Sequence, residues 1–110
     1  MYRVEKAGKY NSMELALATA HSVALRENRP ARIYYGQRVV FTTKDPTQFK
    51  RFKANYFYRL PSGKRVKLTH HRGGAASFKA KGEQAIHVTI LFNMAGREYC
   101  TVYGETLVAR

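Results

Sequence analysis

Between Asn11 and Glu27, small and apolar side chains recur at helical spacing, and no other stretch of the chain reads as clearly as a helix. Met13, Ala16, Leu17, Ala20, Val23 and Ala24 fall on one face, where the small residues allow such a helix to lie close against a sheet. Asn11 is the expected cap, with Glu14 three residues on as in a capping box, and Asn28-Arg29-Pro30 ends the helix near Glu27. His21 lies at the margin of the apolar face, the position of a packed, hydrogen-bonded histidine, and is given no role.

Everything else reads as short strands and turns. Tyr2, Val4 and Lys6 alternate as a short first strand, with a turn over Gly8 to Asn11. Ala31 to Tyr35 and Arg38 to Thr43 form a hairpin about Gly36-Gln37. Asp45-Pro46 breaks that pattern before a short helical turn within Thr47 to Lys53. Asn55 to Leu60 and Arg65 to His70 make a second hairpin about Pro61-Ser62-Gly63-Lys64. His71 to Gly82 keeps neither period and reads as a mobile basic loop. Ile86, Val88, Ile90 and Phe92 alternate as one core strand, Asn93 to Gly96 turns, Tyr99 to Tyr103 returns, and Gly104 to Arg110 adds a short edge. The expected fold is α+β, a single domain over 1-110 with one N-terminal helix packed on a curved, mainly antiparallel sheet, in the order β-α-β-β-β-β-β-β. With 45% hydrophobic and 25% charged residues, such a chain has the composition of a folded domain.

Charge narrows the function. The chain holds 20 Lys and Arg against 7 Asp and Glu. Residues 44 to 81 contain eleven of those cations, offset only by Asp45. Cations packed so densely repel one another until a polyanion relieves them, and nucleic acid is the leading expected partner. Alternation places Phe57, Arg59, Arg65 and Lys67 on one face of the second hairpin, with Tyr56, Tyr58, Leu60, Val66, Leu68 and His70 on the other. The expected nucleic-acid-binding set is Lys50, Arg51, Lys53, Phe57, Arg59, Lys64, Arg65, Lys67, Arg72, Lys79 and Lys81. Phe57 is the stacking platform of that set, and the neighbouring tyrosines belong to the core.

Two other classes compete. A small metal-independent ribonuclease or ribosome-directed toxin would draw its acid, base and cation from His71, Arg72, Glu83 and His87, with His71 accessible and His70 turned toward the core. An interaction or inhibitor protein of a mobile genetic element would use the same surface against an acidic protein or a small phosphorylated ligand. No helix-turn-helix or zinc-finger spacing is present, and the single helix is too poor in basic residues to read a major groove. Clustered carboxylates for a metal-dependent nuclease are missing, so no metal and no cofactor are expected. Cys100 has no disulfide partner and sits in an apolar strand as a buried, inert thiol. No apolar block follows the N-terminus at signal-peptide length, and none approaches the roughly 20 residues of a membrane span. A cytoplasmic protein is the expectation.

Overall fold

The computed structural model describes residues 1 to 110 as an α+β chain whose strands form three sheets. Its contacts divide into two compact units, Met1–Lys50 with Leu91–Arg97, and Arg51–Ile90 with Glu98–Arg110. Each unit has its own apolar core.

In the first unit, β1 (Tyr2–Val4) turns back at once into β2 (Lys9–Tyr10), with Lys6 in the left-handed region at φ 59°. The expected turn at Gly8 to Asn11 is therefore partly strand, and the reversal falls earlier. Ser12, rather than Asn11, caps helix α1 (Met13–Glu27), its hydroxyl accepting from the Glu14 and Leu15 amides at 3.1 and 3.4 Å. Asn28 closes the helix in the left-handed conformation, which asparagine tolerates better than most residues. The hairpin of β3 (Arg32–Tyr35) and β4 (Arg38–Thr42) completes a sheet ordered β2-β1-β3-β4, on which α1 lies.

The alanines do what their size suggests. Ala16, Ala20 and Ala24 are fully buried and let the helix backbone sit close over Val4 and Ile33. A single 3-10 turn, Pro46–Gln48, capped by Asp45, then sends Phe49 back into this core, and Phe92 of β9 (Leu91–Phe92) joins it. His21 is not marginal but fully buried. Its ring stacks on Phe92 at 4.6 Å, and its Nδ1 donates to the Leu17 carbonyl at 2.7 Å.

The second unit is built on an antiparallel sheet of β5 (Phe57–Arg59), β6 (Arg65–Arg72), β7 (Ala75–Ala80) and β8 (Ile86–Thr89), in that order. The stretch read as a mobile loop is mostly strand. Strand β6 runs on through His71 and Arg72, turns at Gly73-Gly74, and returns as β7. The hairpin of β10 (Glu98–Val102) and β11 (Glu105–Val108) supplies Cys100, Val102 and Leu107 to a core shared with Leu60, Val66, Leu68 and Phe78.

Candidate functional site

The register of the second unit's main sheet sorts its side chains into two faces. Tyr58 faces Val66, Val66 faces Ala80, and Leu68 faces Phe78, which in turn faces Ile86; these make the core face. On the other face, Phe57 lies opposite Lys67 and Lys67 opposite Lys79, while Arg59 lies opposite Arg65. The face expected for Phe57, Arg59, Arg65 and Lys67 is thus the observed one, and Lys79 extends it.

A β-bulge between Leu68 and His70 then changes which histidine faces outward. Thr69 is the extra residue, and side chains beyond such an insertion swap faces relative to unbroken alternation. His70 consequently pairs with Ser77 on the exposed face, and His71 pairs with Ala76 on the core side. The expected assignment, His71 accessible and His70 inward, is reversed. Arg72, one residue on, returns to the exposed face opposite Ala75.

The outer face therefore carries Arg59, Arg65, Lys67, Arg72 and Lys79 across three strands, and the strand residues sharing it include no carboxylate. None of these five takes part in the chain's ion pairs. Phe57 is 54% exposed at the β5 edge, with the Arg65 guanidinium 4.1 Å and the Lys67 ammonium 5.7 Å from its ring centre. An open groove of about 530 Å³ continues past it along Arg59 and Pro61 to Arg110. Tyr56, expected in the core, is exposed beside it, while Tyr58 is half-buried and accepts the Lys53 amide at 2.7 Å.

Other expected contact residues stand elsewhere. Lys50 belongs to the first unit, where it bridges Arg97. Arg51 lies 3.8 Å from Glu98, and Lys64 pairs with Glu83 at 2.6 Å while its ammonium sits 4.3 Å from the Tyr103 ring centre. Lys53 lies over Tyr56, and Lys81 is exposed in the turn after β7.

Of the catalytic set expected for a ribonuclease, Arg72 and His87 share the outer face, while His71 and Glu83 stand elsewhere. Glu83 is engaged by Lys64 in the β7–β8 turn. His71 is half-buried against Glu98, its Nε2 3.2 Å from both carboxylate oxygens. Glu98 was not singled out from sequence, although a signal was there: in the alternation of Glu98, Cys100 and Val102 it occupies a core position. Its side chain also accepts the Phe52 amide at 2.7 Å, so it ties β6, β10 and the segment before β5 together. Burial, together with the nearby Glu98 charge, pushes the Cys100 thiol up to about 12, which keeps it protonated and inert. His87 is exposed on β8, opposite Ser77, whose hydroxyl is 2.7 Å from its Nδ1.

No three or more His, Cys, Asp or Glu side chains are grouped to hold a metal ion. No helix is long and apolar enough to cross a membrane. No protein-family model, curated protein or solved structure matches the chain.

Proposed function

We propose that the protein binds nucleic acid through the outer face of the β5–β8 sheet. The observation that carries this reading is the row arrangement of Arg59, Arg65, Lys67, Arg72 and Lys79, five unpaired cations on one face with no acid among them. Strands sit about 4.8 Å apart and alternate residues about 7 Å apart along a strand, so the cations form a lattice on the scale of successive phosphates. Phosphates landing there displace counterions and relieve the repulsion among the side chains. At the edge, Phe57 offers an aromatic surface for a base, with the groove toward Arg110 beside it. Recognition on this face is of backbone charge and shape.

Binding of labelled DNA and RNA oligonucleotides, followed by anisotropy over a range of salt, tests the proposal. Affinity is expected to fall steeply with salt, and Arg65→Glu with Lys67→Glu to weaken it at least tenfold at low salt. Full affinity in that double variant would move the site off this face. Tight binding to an acidic protein or a small phosphorylated compound, with none to nucleic acid, would replace the reading.

A further inference from the structure

The bulge has a chemical result as well as a topological one. It brings His70, Ser77 and His87 into one line across β6, β7 and β8, on the same face as the cations. Both histidines are exposed, and Ser77 between them holds His87 through the 2.7 Å contact at Nδ1, leaving Nε2 as that ring's other nitrogen. The Lys67–Lys79 pair flanks the line on one side and Arg72 on the other. Bulges are frequent beside active sites because they re-aim a side chain, and here the re-aimed side chain is His70.

We infer that His70 and His87 form an acid–base pair that cleaves RNA held on this face, an inference that rests on the nucleic-acid reading above. The two backbones stand two strand spacings apart, roughly 10 Å. Side chains of this length can therefore approach a single phosphodiester from opposite sides. One imidazole takes the proton of the ribose 2′-hydroxyl, and the freed oxygen attacks phosphorus. The bond from phosphorus to the 5′-oxygen breaks, and the other histidine, protonated, gives its proton to that oxygen. The products are a 2′,3′-cyclic phosphate and a 5′-hydroxyl end. Lys67, Lys79 and Arg72 face the charge that builds on the phosphorane oxygens. Ser77 is a positioning residue that orients His87.

The test uses the full chain and an RNA oligonucleotide, alongside the same oligonucleotide with 2′-deoxy residues. The wild-type protein is expected to cut the first, leaving a cyclic phosphate, and to bind the second without cutting it. His70→Ala and His87→Ala should each slow cleavage at least 100-fold while retaining affinity and thermal midpoint. Ser77→Ala should displace one limb of the pH–rate profile without changing affinity. RNA that is bound and stays intact overturns the catalytic inference and leaves the binding reading standing. Cleavage persisting in the double histidine variant also overturns it. Failure to bind either oligonucleotide removes both.

Discussion

The two units carry almost the same charge and use it differently. The first holds ten Lys and Arg against four Asp and Glu, the second ten against three. In the first unit Lys6 and Arg26 meet Glu27, Arg29 meets Glu5, and Arg3, the cross-strand partner of Lys9, lies over the Tyr34 ring. In the second, two acids are spent on partners away from the sheet's outer face, Glu83 on Lys64 and Glu98 on His71 and Arg51. Glu105 is likewise spent, accepting from the Ser62 amide and hydroxyl at 2.7 and 2.6 Å. Five cations are left facing one way. Net charge hardly differs between the units, so the proposed binding rests on the five unpaired cations that share one sheet face in the second.

The sharpest way to break this comparison is to reverse charges in each unit. Arg65→Glu with Lys67→Glu is expected to reduce nucleic-acid affinity at least tenfold, whereas Lys6→Glu with Arg26→Glu should change it less than threefold. Equal losses would mean that total charge, not arrangement, drives binding.

A second contrast lies in what each core tolerates. Glu98, itself buried, satisfies a buried amide and a half-buried histidine, so Glu98→Ala should cost about 3 kcal/mol of stability, read as a lowered denaturation midpoint. Glu98→Gln should recover part of that loss. An unchanged midpoint in the alanine variant would show that the cluster is not a structural tie.

In the first unit the corresponding group is His21. Burial lowers its pKa from 6.5, and the hydrogen bond to Leu17 only partly opposes this. Its Nε2 is buried with no partner. The unfolded chain therefore binds a proton below about pH 6.5 that the folded chain refuses, so stability is full above that value and falls as pH is lowered through it. His21→Leu should flatten the dependence of the thermal midpoint on pH between 6.5 and the acid range. A slope equal to wild type would assign the acid sensitivity elsewhere. The smallest effect is at the helix cap, where Ser12→Ala should cost about 1 kcal/mol and Asn11→Ala close to nothing.

Much of this architecture was legible in the residues, and what escaped has identifiable causes. The helix, the Gly36-Gln37 and Gly63 turns and the outward set of the second hairpin follow from periodicity and turn chemistry. Strand β7 escaped because Ala76, Ser77 and Phe78 are all buried, so small residues erase the apolar and polar alternation that marks a half-buried strand. Strand β2, with two residues, is below the length at which a period exists. The division into two cores left no mark either, since the alternation of Ile90 and Phe92 runs unbroken although the first joins one core and the second the other.

The candidate site divides along the same line. Phe57, Arg59, Arg65 and Lys67 precede the bulge, and their shared face was readable; His70 and His71 follow it, and their faces were exchanged. An inserted residue has no composition of its own, and Thr69 suits a regular strand as well as a bulge.

The most direct measurement is an amide-resolved NMR titration of the labelled protein with a short oligonucleotide. The account predicts that the largest shifts trace Phe57–Arg59, Arg65–Arg72 and Ala75–Ala80, with the amides of Tyr2–Glu27 nearly still. Shifts concentrated in the first unit, or spread evenly over both, would contradict it.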